Sequence, residues 1–176
     1  MAFIRLKKIK GNKYAYIVEN TWKKGRVKQH VKKYIGRVHK FSRQRFGSEE
    51  EELEDFLKFV DNSLEEYLAK NDAKTIMLDT VRWELKNHGF VVIDDEWRKD
   101  NLIFSEKKTA VLGNKTDAAF AFNEGMLNTF MLKKLLRFEY KGNEEEIGYK
   151  MAKDFVELGI KVPKQIFIGL YEKILA

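Results

Sequence analysis

Hydrophobic and polar positions alternate with period two over the first forty residues, then switch to spacings of three and four. This pattern predicts strands followed by helices. Ala2 to Lys8 sets Ile4 and Leu6 against Phe3, Arg5 and Lys7. Lys10-Gly11-Asn12 reads as a tight turn, since Gly and Asn accept positive φ at little cost. Lys13 to Asn20 carries Tyr14, Tyr16 and Val18 on one face and Ala15, Ile17 and Glu19 on the other. Thr21-Trp22-Lys23-Lys24-Gly25 reads as a second loop. Arg26 to Ile35 then sets Val27, Val31 and Ile35 opposite Arg26, Lys28, His30, Lys32 and Tyr34. The expectation is a three-stranded antiparallel meander with one apolar side and one side of cations and aromatics.

From Ser48 the period is helical. Ser48 and Glu51 have capping-box spacing, and Leu53, Phe56, Leu57, Val60, Leu64, Tyr67 and Leu68 form one stripe with acids opposite. A second helix is expected from about residue 74 to 87, stopping before Gly89, with Met77, Val81 and Leu85 inward. Phe90 to Ile93, Leu102 to Phe104 and Ala110 to Leu112 read as short strands, the first two separated by a polar loop, DDEWRKDN. Further helices are expected over about 118–138, from an Asn143 cap to Gly159 with Ile147, Met151 and Phe155 inward, and after Pro163 with Ile166, Phe167, Leu170 and Ile174 inward. The fold class is therefore α+β: an N-terminal three-stranded antiparallel β-meander (1–40), a basic linker (41–47), and a mostly α-helical domain (48–176) holding a small β-hairpin or sheet near 90–112.

Charge changes this picture. Up to Arg45 there are 15 Lys and Arg against one acid, Glu19, a net +14; the remainder has 19 basic and 26 acidic residues, a net −7. A solvated face on a thermostable protein would mix both signs. A single-sign face interleaved with aromatics points to a polyanion instead. The chain has no cysteine, which excludes disulfides and thiolate chemistry, and no apolar run approaches the roughly 20 residues of a membrane span. No apolar leader follows Met1, so a cytoplasmic protein is expected.

The residues Lys10-Gly11, Tyr14 to Glu19, Gly25-Arg26-Val27-Lys28-Gln29 and Tyr34-Ile35-Gly36 resemble the leader module at the N-terminus of some insertion-sequence transposases and archaeal Fic-type proteins. The resemblance spans residues of about 5–37 and implies a small DNA-facing sheet. The Fic nucleotide-transfer motif is absent: the histidines are His30, His39 and His88, and the one proline is Pro163. Asn123-Glu124-Gly125 echoes the Fic inhibitory helix, but Phe120 stands where that motif has Ser or Thr.

Candidate chemistry reduces to one constellation. Asp95, Glu106 and Lys108 have the spacing of the PD-(D/E)xK nucleases, with Glu84 as a further acid. In the family it resembles, the acids hold a divalent metal and the lysine assists the attacking water. The plainer reading is a solvated loop at Asp95 and a hairpin turn at Glu106 to Thr109. No phosphate-cradling glycine loop occurs, and no cofactor is expected. Trp22 suits either base stacking or a strap over the sheet edge.

The expected function is non-enzymatic nucleic-acid binding, DNA before RNA. The contact residues are Arg5, Lys7, Arg26, Lys28, His30 and Lys32 on a sheet face, with Lys10, Lys13, Lys23 and Lys24 in phosphate-reaching turns. The acidic body would dimerise or bind a protein partner. An RNA-binding ribosome-associated factor, the metal-dependent nuclease and a catalytically empty Fic-like regulator remain open alternatives.

Overall fold

The computed structural model describes residues 2–176. The chain opens with β1 (Ala2–Ile9), β2 (Asn12–Lys23) and β3 (Arg26–Lys40), an antiparallel meander. Both of its turns are two-residue hairpins with positive φ at each central position, Lys10-Gly11 and Lys24-Gly25, the geometry that matches strand twist. The second loop is therefore shorter than its sequence suggests, and Trp22 and Lys23 belong to β2.

Next come α1 (Glu49–Phe59), α2 (Leu64–Lys70) and α3 (Ala73–Asn87). The apolar stripe from Leu53 to Leu68 predicts one helix here, but two form. Asp61 takes a left-handed φ of 52°, and Ser63 caps a new helix by accepting from the Glu66 amide at 3.4 Å. Six more strands come after these helices: β4 (Val91–Ile93), β5 (Glu96–Lys99), β6 (Leu102–Ser105), β7 (Ala110–Gly113), β8 (Thr116–Phe122) and β9 (Gly125–Leu127). The chain closes with α4 (Thr129–Arg137), α5 (Glu144–Leu158) and α6 (Lys164–Leu175).

The expectation of a mostly helical body with a small sheet is overturned. Among the described residues all nine strands join one mixed sheet of order β1-β2-β3-β8-β7-β6-β5-β4, with β9 also on β8. The protein is α+β, but the sheet is large and the meander is its first third. The joint is parallel: Arg37 to Lys40 of β3 pair with Ala118 to Ala121 of β8. Two segments account for the shortfall. The polar loop after Ile93 holds β5, and the helix expected over 118–138 is β8, β9 and then α4.

The core lies in the body. Phe56, Trp83, Phe104, Phe120, Phe122 and Leu132 are buried completely. The predicted inward residues Met77, Val81, Leu85, Met151, Phe155, Ile166 and Leu170 all join them. Residues 41–47 have no regular structure but are built into this body. Phe41 sits against Phe90, Phe120 and Phe122 at centroid distances of 5.3, 5.5 and 5.4 Å. Arg43 reaches further in, pairing with Glu84 at 3.0 Å and Glu52 at 3.4 Å.

Candidate nucleic-acid interface

Residues paired across antiparallel strands share a face, so the register assigns the two sides of the meander. One side carries Phe3, Arg5 and Lys7 from β1, Tyr14, Tyr16, Val18, Asn20 and Trp22 from β2, and Val27, Gln29, Val31, Tyr34 and Arg37 from β3. The other carries Ile4 and Leu6, then Ala15, Ile17, Glu19, Thr21 and Lys23, then Arg26, Lys28, His30 and Lys33.

The expected contact face is thus divided. Arg5 and Lys7 lie on the opposite side from Arg26, Lys28 and His30. The two-residue hairpins set this division, since Arg5 and Lys7 pair with Tyr16 and Tyr14 whereas Arg26, Lys28 and His30 pair with Lys23, Thr21 and Glu19; farther along β3 the register skips one residue beside Ile17/Val18 and another beside Ala15/Tyr16. Each extra residue reverses the inside–outside parity of the strand beyond it. Tyr34 joins Val27 and Val31, while Ile35 turns to the other side and packs with Ala15 and Ala119. The expectation that Val27 and Val31 are packed is corrected with it: they are 50% and 54% exposed.

The tyrosine side is organised by its own contacts. Lys7 Nζ stands 5.1 Å over the Tyr16 ring, and Tyr16 lies 5.2 Å from Tyr34. Burial, with Tyr16 next in effect, raises the Tyr34 phenol above its ordinary pKa. Arg5 donates to the Gln29 side-chain Oε1, Gln29 Nε2 to Asn20 Oδ1 at 3.2 Å, and Arg37 to Asn12 Oδ1 at 2.7 Å. On the other side Lys32 pairs with Glu19 at 2.8 Å and holds that carboxyl below its ordinary value, and His30 Nε2 lies 3.0 Å from the Thr21 hydroxyl.

Among the described residues β1 pairs β2 as far as Ala2 with Glu19, and residues 20–29 pair with each other as a two-stranded, largely exposed ribbon. The ribbon holds Lys23, Lys24, Arg26 and Lys28, no acid, and Trp22 at 75% exposure. None of these four cations is ion-paired among the described residues. Lys10 occupies the exposed β1–β2 turn, and Lys13 is exposed just after it.

The nuclease candidates are placed differently. Glu84 is fully buried on α3. Burial alone would raise its carboxyl, but His88 and Arg43 outweigh that and hold it below its ordinary value. His88 Nδ1 donates to the Glu84 carbonyl at 2.8 Å, and its ring stacks on Phe122 at 3.9 Å. Glu106 accepts two 2.6 Å bonds from Arg82. Asp95 is an exposed turn residue at φ 60°, and the Lys108 amide donates to Ser105 Oγ at 3.4 Å. Among the described residues no three His, Asp or Glu side chains are grouped to hold a metal. His39 is half-buried, and burial, then Arg37, lower its pKa. Asn123-Glu124 is the β8–β9 hairpin turn and Gly125 opens β9, so this segment is not a helix.

The ribbon escapes a reading by alternation, because period-two spacing gives the faces of a strand and not which strands pair beside it. Its signal in the sequence is an acid-free run from Asn20 to Gln29 with four cations around Trp22 and Val27. The chain contains no helix long and apolar enough to cross a membrane among the described residues. Comparison with protein-family models, with curated proteins and with solved structures finds no match.

Proposed function

We propose that this protein binds nucleic acid without a catalytic step, and that duplex DNA is the ligand of the ribbon formed by residues 20–29. The observation that carries the reading is a protruding pair of strands with four unpaired cations, no acid and a solvent-facing tryptophan near its tip. Two strands lie about 4.8 Å apart and fit a major groove about 12 Å wide. Four residues per strand reach about 13 Å, enough for a groove about 8.5 Å deep. Lys23, Lys24, Arg26 and Lys28 supply phosphate contacts, and Trp22 offers a flat apolar ring to a base step.

The test is fluorescence anisotropy on a labelled 20-base-pair duplex across a salt series, with the same sequence as RNA beside it. Four phosphate contacts correspond to a slope of log K against log salt of about −3.6. Changing Lys23, Lys24, Arg26 and Lys28 together to Ala should remove most of that slope and leave the thermal midpoint where it was. Wild-type binding by the quadruple variant would refute the ribbon. Tighter binding to the RNA duplex would refute the choice of DNA.

A further inference from the structure

The body is acidic in sum, yet it has one cationic hollow. Between α4 and α5 a cavity of about 560 Å³ is lined by Phe130, Lys133, Lys134, Arg137, Lys150 and Lys153, with Tyr140, Glu139 and Asp154 completing its wall. Asp154 is occupied already, accepting from Lys134 at 2.8 Å and from the Tyr140 hydroxyl at 3.2 Å. Lys150 donates to the Lys141 carbonyl at 2.6 Å, and Lys153 lies 3.7 Å from Glu157. Lys133 and Arg137, one helical turn apart, are exposed and have no acid within ion-pair distance among the described residues. Five cations against two acids give this hollow a surplus of positive charge.

Its position matters as much as its charge. Lys33 of β3 lies 6.0 Å over the ring of Phe130, the half-exposed residue at the start of α4. Lys33 shares its face with Lys28 and Arg26, so one row of cations descends the ribbon and arrives at the hollow. No acid interrupts the row except Glu19, which Lys32 neutralises.

We infer that the α4–α5 hollow is the second half of the nucleic-acid interface and receives backbone phosphates of the same DNA that the ribbon grips. This inference rests on the DNA-binding reading above. The chemistry is that of a strand phosphate held by Lys133 and Arg137, with Lys33 bridging to the ribbon. The protein then contacts DNA at two places joined by the Arg26–Lys33 stretch of β3, about 23 Å at 3.3 Å per residue.

The experiment uses the full chain and the variant Lys133→Ala/Arg137→Ala. Both side chains are exposed and unpaired, so the thermal midpoint should stay within a degree or two of wild type. On a 30-base-pair duplex the variant should lose about 1.8 from the salt slope and bind about tenfold or more weakly at 100 mM salt. Wild-type binding with an unchanged slope in the variant on the long duplex overturns the inference while leaving the ribbon reading intact. Failure of the wild type to bind any duplex removes both. Inorganic pyrophosphate supplies the last arm. If it raises the wild-type thermal midpoint saturably and the variant's not at all, while both bind the long duplex equally, the hollow serves a small phosphorylated ligand and the inference is wrong.

Discussion

The meander and the body are parts of one sheet, yet they are held together by different physics. In the body, β8 packs against α4 and β9 against α5, and rings such as Phe120 and Trp83 have no contact with water. In the meander, Phe3, Leu6, Val27, Val31 and Tyr34 are all exposed, and order comes from cross-strand pairing and side-chain hydrogen bonds. Only Ala15, Val18, Ile35 and Gly36 are buried there, Val18 in the central strand and Ile35 and Gly36 close to β8. The difference teaches that the N-terminal region is built to present side chains, and the rest is built to hold it still.

Substitutions separate the two regimes, beginning with the largest effect. Phe120→Ala leaves a cavity under β8 and should cost about 3–5 kcal/mol in urea unfolding. A loss under 1 kcal/mol would mean that the joint does not depend on the body core.

Glu84→Gln is next. It leaves Arg43 with a neutral amide at its closer contact and only Glu52, at 3.4 Å, as a charged partner, and should cost on the order of 3 kcal/mol at pH 7. Because the folded carboxyl titrates below its ordinary value of 4.5, its stabilisation is complete above that pH. It fades as pH falls through the lower folded value. Wild type should therefore lose stability below about pH 4.5 more steeply than Glu84→Gln does. Parallel acid profiles for the two proteins would contradict the ion-pair account.

Gly36→Ala tests the joint itself. Gly36 has φ 142°, and a Cβ there would lie 2.5 Å from the Asp117 carbonyl oxygen. The substitution should cost about 1–3 kcal/mol and loosen the ribbon's anchorage, read as faster amide exchange in β3 than in α5. Equal exchange in wild type and variant would show the joint to be more pliant than drawn.

The smallest effects belong to the meander. Val27→Ala and Val31→Ala should each cost less than about 1 kcal/mol, since their side chains are half in water. A cost of 2 kcal/mol or more would restore the face assignment suggested by simple alternation.

Much of this architecture was legible in the residues. The caps at Ser48, Asn143 and Gly159 stand where the sequence places them, and the stripe of α3 is buried as its spacing implies, as are Met151 and Phe155 of α5, whereas Ile147 is only half-buried. The features that escaped have physical causes. Ala118 to Phe122 favours a helix by local preference, but burial between β3 and its partners on the other edge makes it a strand. β5 is polar and only half-buried, and so carries no apolar signature. The break at Asp61 interrupts a continuous stripe without any proline or glycine to announce it. In β3 the two skipped residues leave no trace in composition, yet the first brings Lys33 onto the face of Arg26 and Lys28 and puts Tyr34 on that of Val27 and Val31. The cations were visible; their grouping into one ribbon and one hollow was not.

The parallel joint also bears on how the chain is made. Arg37 and its partner Ala118 are 81 residues apart, and closing a loop of that length costs entropy that local turns do not. The meander's two hairpins are local and can form as soon as they leave the ribosome, within microseconds. Their docking must wait until β8 has been synthesised, several seconds later at about 5–20 residues per second. During that interval a cationic hairpin with exposed aromatics has no body to rest on. It is then free to meet the ribosome's own polyanionic surface before it meets the rest of its fold.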